Sequence, residues 1–496
     1  WMVEAPRSSA AAEVQWATNR VTVAAVLDAV LNAQSLTVRD RMSDGTYVVN
    51  AAATDAANEK AARVRAEWQR WIWQDDARRD HLARLYNDTF NTDVQRAYDG
   101  SHLTLPGKVG DDVIALRPHQ LSFVWRTLQS GTALADHTVG AGKTFALIAS
   151  VMEKRRTGQA RKPVLAVPNH LVGQWAADFV KLYPGARVLA ATKRDFEAEN
   201  RKRLFARIAT GDWDAVIVAH SSFGRIGVSS EFEQRFIQEQ IDDLEQSMKE
   251  LREATGEKSR NVAQLAKWRE SLQTKLKKLL DAGAKDDGLT FDELGIDALY
   301  VDEAHEFKNL AFATSMTRVA GLGNPAGSQK AADLYMKVQS VLERTGGRNV
   351  VFATGTPLSN TMAEMYTLQR YLDNDALKAM GLAHFDAWAR VFGEVVTDWE
   401  LSPSGQYKLN SRFSKFVNMP ELMQRYLAFA DVITNDDIKA QLAAIGKTLP
   451  LPRVKGGKPQ NIVVPRSRDQ AAYIGAGETG PDGVLRFPEG SLVYRA

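Results

Sequence analysis

The chain has 496 residues, enough for roughly two to four domains at ordinary domain sizes, and its 44% hydrophobic and 25% charged residues are those of a globular protein. A net charge of +3 lets nucleic acid bind only where basic surface is local, and the absence of cysteine excludes disulfides and thiolate metal sites. The eight histidines show no paired ligand spacing, and no apolar run reaches the roughly 18 residues of a membrane helix, so no membrane partner is expected and a reducing cytoplasm suits the composition. Nothing resembles a signal peptide, and a chain opening on Trp1 is expected to be part of a longer reading frame.

Residues 1–105 read as a helical accessory region, Ala-rich and charged from Ala56 to Arg70. Trp68, Trp71 and Trp73, followed by Leu82, Leu85 and Tyr86, recur at helical spacing, and such a cluster is expected to be core before it is a base-stacking platform. The turn-rich Tyr98-Asp99-Gly100-Ser101 and Pro106-Gly107 mark a boundary.

Between 106 and 372, short apolar runs alternate with helical patterns. The runs are Thr132 to Ala135, Val164 to Val167, Ala215 to Ala219, Ala298 to Val301 and Val350 to Ala353. Strands apolar on both faces predict an α/β fold, a parallel sheet flanked by helices. A charged insertion over 229–285 interrupts it. Phe232, Phe236, Ile237, Ile241, Leu244, Met248 and Leu251 form one helical stripe, and Val262, Leu265, Trp268, Leu272, Leu276 and Leu279 form another beyond the Ala254-Thr255-Gly256 break. Two facing stripes predict an antiparallel helical hairpin, a self-packed protrusion with solvated charges. The sharper alternative puts Lys267, Arg269, Lys275, Lys277 and Lys278 on nucleic-acid backbone or a partner. The glycine-rich Gly321 to Gly327 reads as a flexible connection or a mobile element near nucleic acid. Residues 373–448 are helix-like, with Trp388, Phe392, Phe413 and Phe416 as core. Pro450, Pro452, Gly456, Gly457 and Pro459 before Ile462-Val463-Val464 make 449–496 a linker entering a further domain.

Three motifs follow apolar runs, at the strand ends where open α/β sheets bind ligands. Gly140-Ala141-Gly142-Lys143-Thr144 suits a phosphate loop. Its backbone N–H groups converge on phosphate oxygens, Lys143 reaches the β- and γ-phosphates, and Thr144 holds Mg²⁺. The usual pattern has glycine where His137 stands. Asp302-Glu303-Ala304-His305 delivers two adjacent carboxylates, Asp302 to hold Mg²⁺ and Glu303 to orient or deprotonate an attacking water. Thr354-Gly355-Thr356-Pro357 places two hydroxyls on a restrained turn, suited to bonding the acidic motif and coupling it to the γ-phosphate.

With these motifs in order, the chain resembles the first RecA-like lobe of a superfamily-two helicase, in the Swi/Snf-like branch of DNA translocases. Leu116-Arg117-Pro118-His119-Gln120 is similar to that branch's adenine-reading segment, which implies Arg117 and Gln120 in nucleotide binding. Val164 to Val167 with Pro168-Asn169-His170 and Gln174-Trp175 resembles its first strand-contacting motif, and Asp214 to Ala219 with His220-Ser221-Ser222 its second. Lys308-Asn309 after the acidic motif, and Gly355-Thr356-Pro357-Leu358-Ser359-Asn360, resemble this branch more than DEAH-type RNA helicases. The segments His102 to Gln120, Val139 to Thr144 and Trp213 to Arg225 resemble the helicase region of large adenine-methylase–helicase fusion proteins of plasmids and phages.

The resemblance covers about 113–372 and implies ATP and Mg²⁺ as cofactors, Lys143, Asp302, Glu303 and His305 as catalytic, and duplex DNA as partner. Pro168, Asn169, His170, Ser221, Ser222, Lys308 and Asn309 would grip its phosphates, independently of base sequence. It also implies a fused or associated adenine DNA methylase. Two alternatives stand beside the motor: an ATP-gated DNA clamp serving a methylase or nuclease, and an RNA helicase. The departures are His137, the hairpin, and the lack of paired arginines near Phe429-Ala430-Asp431. With the second lobe's arginines outside this stretch, nucleotide binding with slow turnover is expected.

Overall fold

Seven short runs, most of them rich in Val, Ile, Leu and Ala, form one parallel sheet buried on both faces. They are β1 (Thr132–His137), β2 (Pro163–Val167), β3 (Val188–Ala191), β4 (Ala215–Ala219), β5 (Ala298–Val301), β6 (Val350–Thr354) and β7 (Ala430–Ile433), in the spatial order β7-β1-β6-β5-β2-β4-β3. The computed structural model describes residues 3 to 446 apart from 4–8, 32–34, 44, 92–93, 256–259, 283–288, 315, 317–318, 402–406 and 445; after 446 it describes only 464, 467, 478–479 and 485–486.

Alternate strand residues feed two cores. Ala133, Ala135, Leu165, Val167, Ile217, Tyr300 and Val351 meet α1 (Pro118–Gln129), α2 (Lys143–Arg156) and α3 (Val172–Leu182) through Phe123, Ile148, Trp175 and Phe179. Leu134, Val164, Val218, Leu299, Val301 and Phe352 meet α4 (Ala198–Thr210), α7 (Gln329–Thr345) and α8 (Ala363–Leu372) through Phe205, Leu334, Val338 and Tyr371. The predicted α/β fold is present. The sequence reading omitted β3 and β7.

The hairpin is present as α5 (Ser230–Thr255) and α6 (Arg260–Ala282). Leu244 and Met248 pack on Ala266, Trp268 and Leu272, and Phe236 lies edge-on to Tyr335 of α7 at 5.7 Å. Arg269 pairs with Glu245 at 3.5 Å and Lys275 with Glu233 at 2.9 Å, so two of the five basic residues are engaged within the hairpin. Lys267 and Lys277 are exposed, while the side chain of Lys278 lies outside the described residues.

Three expectations change. The helix-like reading of 373–448 holds for Asn374–Ala379, Phe385–Phe392, α9 (Met419–Phe429) and Asn435–Ala444, but Gly393–Leu401 with Tyr407–Phe416 forms an antiparallel pair and β7 follows α9. The pair Val395-Val396 favours strand because its branched side chains pack on a pleated surface; Trp388, Phe392 and Phe413 are buried as expected. The loop Gly321 to Gly327 is pinned. A Cβ on Gly321 would lie 2.6 Å from the Phe413 carbonyl oxygen and one on Gly327 2.4 Å from the Ala311 nitrogen, and the Phe312 N–H donates to the Pro325 carbonyl at 3.0 Å.

The third change concerns the tryptophans. In the helix Ala51–Ile72 only Thr54, Ala57 and Ala61 are buried, because the short helix Val23–Leu31 lies along its first half. Trp68, Trp71 and Trp73 are 55%, 43% and 57% exposed, and Leu85 and Tyr86 of the helix Asp76–Phe90 are also exposed. They are surface, not core. The expected linker over 449–496 falls outside the described residues except for 464, 467 and a two-residue antiparallel pair, Glu478–Thr479 with Leu485–Arg486. Among the described residues no helix is long and apolar enough to cross a membrane.

Candidate nucleotide and nucleic-acid site

The carboxyl end of β1 turns through Thr138 and Val139 into the phosphate loop. Gly140 and Gly142 both have φ of 83°, a left-handed backbone that glycine adopts without steric cost. A Cβ on Gly142 would in addition lie 2.5 Å from the Gln120 side-chain nitrogen. That amide donates to the Gly142 carbonyl at 2.8 Å and its oxygen accepts from the Arg117 N–H at 2.7 Å. Gln120 therefore braces the loop from the start of α1, with both ends of its amide engaged. Arg117 Nη1 is buried with no hydrogen-bond partner among the described residues, an orphaned donor of the kind a nucleotide would satisfy. Lys143 opens α2 and donates to the His137 carbonyl at 2.8 Å, with the Thr138 carbonyl 3.5 Å away; Thr144 follows it, half-buried.

The acidic motif leaves β5, two strands from β1. The Asp302 N–H donates to the Ala166 carbonyl of β2 at 2.9 Å, and the Asp302 carbonyl accepts from His220 Nε2 at 3.0 Å. Burial pushes the Asp302 carboxyl up to about 6, and the Glu303 charge pushes the same way. The Glu303 backbone N–H, the Lys143 ammonium and the Trp175 side chain oppose this. A cation at this carboxylate would favour its ionised form, as expected of a metal-holding group. Glu303 itself has φ 49° and ψ 50°, a left-handed conformation that costs a non-glycine residue about 1 kcal/mol or more and tends to cluster at functional sites.

His305 Nδ1 lies 3.2 Å from Glu303 Oε2 and 3.0 Å from the Thr354 hydroxyl. The Thr354 hydroxyl also accepts from the Thr356 N–H at 3.1 Å. The turn at the end of β6 thus bonds to the acidic motif through His305. Gly355 lets the two approach, since a Cβ there would lie 3.3 Å from Lys143 Nζ and 3.2 Å from Val139.

Glu303, His305, Gly355 and Thr356 line one cleft of about 630 Å³ together with Val139, Pro168, Asn169, His170 and Ser221. Asn169 and His170, in the turn after β2, and Ser221, after β4, are exposed, and the Ser221 N–H donates to Asn169 Oδ1 at 3.1 Å. Two strand-contact expectations fail on burial and pairing. Ser222 is 2% exposed. Lys308 is held by Glu364 at 3.1 Å and by the Ser359 hydroxyl, so its charge is already answered. Asn309 is exposed outside the cleft lining, its carbonyl accepting from the Ser328 N–H at 2.8 Å.

Residues 125–434 match the family described as "Probable helicase domain". The chain belongs to that family. Residues 1–92 of this helicase-family chain match a further family described as a domain of unknown function. Over 435 residues the chain is 22% identical to Defense against restriction protein B of Escherichia phage P1, covering 79% of this chain and 19% of that protein. It therefore spans about a fifth of the length of that curated relative. Among solved structures it is similar to the Sulfolobus solfataricus SWI2/SNF2 ATPase core in complex with dsDNA, with 14% identity, a TM-score of 0.36 and coverage of 68% of this chain and 47% of that one. The SWI2/SNF2 ATPase core domain of the same organism gives 14% identity and a TM-score of 0.35 over 70% and 49% of the two chains.

The helicase-family chain also uses residues that sequence reasoning missed. His137 is fully buried, and its Nε2 donates to the Asp431 carboxylate of β7 at 2.7 Å while its ring stands edge-on to Phe123 at 5.3 Å. The imidazole in glycine's usual place thus ties the loop's approach to the edge strand. His119 Nε2 lies 2.9 Å from the Ala141 carbonyl and its Nδ1 2.7 Å from Gln441 Oε1. The Thr138 N–H donates to the Ile433 carbonyl at 2.9 Å, and the Tyr426 hydroxyl to Asp136 at 2.8 Å. Trp175, read as part of a strand-contacting motif, is 2% exposed and acts on Asp302 instead. The one sequence signal was the paired oddity of His137 and an acid at 431 where arginines were sought.

Proposed function

We propose that this chain is the ATP-binding lobe of a motor that hydrolyses ATP in response to duplex DNA, running from 106 to 372 and taking its edge strand from 430–433. The observation that carries this is the shared cleft, in which the acidic motif, the coupling turn and the loops after β2 and β4 line one space. Bound ATP with Mg²⁺ would supply the phosphoanhydride and the metal's polarising charge. Lys143, released from the His137 and Thr138 carbonyls, would neutralise phosphate oxygens, and Thr144 with ionised Asp302 would hold the cation. Glu303 would orient and deprotonate water. His305, bonded to both Glu303 and Thr354, would pass the state of that carboxylate to the turn at β6 and so to the wall of the cleft. Asn169, His170 and Ser221 would meet strand phosphates.

An adenine methylase in the same or an associated polypeptide belongs to the proposal on the strength of the resemblance alone. The test is ATP hydrolysis by the reading frame extended through the second lobe, without nucleic acid and with duplex DNA, single-stranded DNA or RNA, beside Lys143→Ala and Glu303→Gln. Stimulation chiefly by duplex DNA, lost in both variants, is expected. Stimulation by RNA alone overturns the choice of strand, and ATP binding without turnover on any substrate replaces the motor with a clamp.

A further inference from the structure

The helix Ala51–Ile72 carries an apolar stripe that outruns its cover. Thr54, Ala57 and Ala61 are buried, yet the same face continues through Val64, Trp68 and Trp71, one or two turns apart, into open solvent. Exposed apolar side chains that join into one contiguous patch mark an interaction site, as singly scattered ones do not. Trp68 and Trp71 lie against each other, with ring centroids 5.1 Å apart and planes tilted by 31°. Arg78, from the next helix, sits over Trp71 at 3.5 Å and is locked there by hydrogen bonds to the Trp71 and Ile72 carbonyls at 2.6 and 3.3 Å. The cluster is pre-assembled and cationic.

The surrounding charges sharpen the choice of ligand. Glu67 is paired with Arg70, and Asp76 and Asp80 with Arg79; Asp75 caps its helix by accepting from the Arg78 N–H. No carboxylate among the described residues lies within ion-pair distance of Arg65, one turn before Trp68, or of Arg63 and Arg84, all three exposed. With those carboxylates answered by Arg70 and Arg79, the charge left standing among the rings is positive, which complements a phosphate backbone. Flat π-faces beside unpaired guanidinium groups match a strand whose bases are unpaired and whose phosphates run alongside.

We propose that this face, around Trp68, Trp71, Arg65 and Arg78, binds single-stranded nucleic acid by stacking its bases, a second contact apart from the cleft. Duplex DNA offers no base faces along its length, so the platform is selective for single strands. It gives residues 1–92, whose family carries no assigned function, the task of holding a displaced or unpaired strand beside the lobe.

The experiment uses the whole 496-residue chain and a fluorescent oligothymidylate of about 20 nucleotides, a length that covers one or more stacking sites of this kind. Binding should quench tryptophan fluorescence. Trp68→Ala and Trp71→Ala together should weaken binding at least tenfold, given roughly 1–3 kcal/mol per stacked base. Arg65→Gln should reduce the slope of log affinity against log salt by about 0.7. The measurement is made without nucleotide, so failure of the motor reading leaves this result readable. Unchanged affinity in the double tryptophan variant, or an equal loss for a duplex of the same length, overturns the proposal. So does a double variant that keeps the oligonucleotide but loses an associated methylase polypeptide, which would make the face a protein-docking surface.

Discussion

At the phosphate-loop corner, which meets the cleft at Val139, four polar side chains are already spent on the protein itself: Lys143 on the His137 and Thr138 carbonyls, Gln120 on Gly142 and Arg117, His119 on Ala141, His137 on Asp431. At the corner formed by the turns after β2 and β4, Asn169, His170 and Ser221 are exposed and joined by one bond between Ser221 and Asn169. The first corner inherits its geometry from the fold, and substitutions there should move stability and nucleotide grip together. The second owes little to the fold and should be ordered by what it holds.

The largest effect expected is at the boundary between them. Glu303→Gln should slow ATP hydrolysis by a factor on the order of 10²–10⁴ and leave nucleotide affinity unchanged, measured by turnover beside equilibrium binding; a parallel loss of binding would show that Glu303 shapes the loop as well. Next comes His220, which anchors the exposed corner to Asp302. Burial, with Lys330 adding to it, holds its imidazole down at about 4. The unfolded chain takes up this proton near its ordinary value of about 6.5. Its contribution to stability is therefore complete above that pH and is lost as pH falls toward 4, amounting to roughly 3 kcal/mol. Urea unfolding between pH 7 and 4 should show the slope, and His220→Gln should flatten it.

Smaller again, Asp431→Ala strands the fully buried His137 and should cost about 1–3 kcal/mol in unfolding free energy, with weaker ATP binding alongside. Weaker stability with unchanged ATP binding would break the link between β7 and the loop. The smallest effect is expected from Asn169→Ala, which should reduce duplex affinity several-fold, about 0.5–1.5 kcal/mol, while moving stability by less than about 0.5 kcal/mol. A large loss of stability there would erase the distinction between the corners.

The motifs were legible because each is a run of consecutive residues at the end of a strand whose apolar run is itself continuous. The parallel sheet followed from the same runs. β7 was not legible: Ala430-Asp431-Val432-Ile433 is four residues long, carries an acid and follows a helical pattern, so it becomes a strand only by pairing with β1. The fates of Ser222 and Lys308 were hidden for a related reason, since burial and the Glu364 partner belong to tertiary packing. The tryptophans misled because a stripe at helical spacing says which face of a helix is apolar, not whether anything covers it.

The parallel pairing of β7 with β1 sets an order of events for a chain made on the ribosome. The phosphate loop is synthesised early, while the strand that holds His137 in place arrives almost the whole domain later. Domains emerge from their amino terminus, and contacts between distant segments form slowly. A nascent chain would carry the loop's complete sequence for many seconds without a supported nucleotide site. Nucleotide would then act as a witness to completion, retained only by molecules in which the last strand has been delivered.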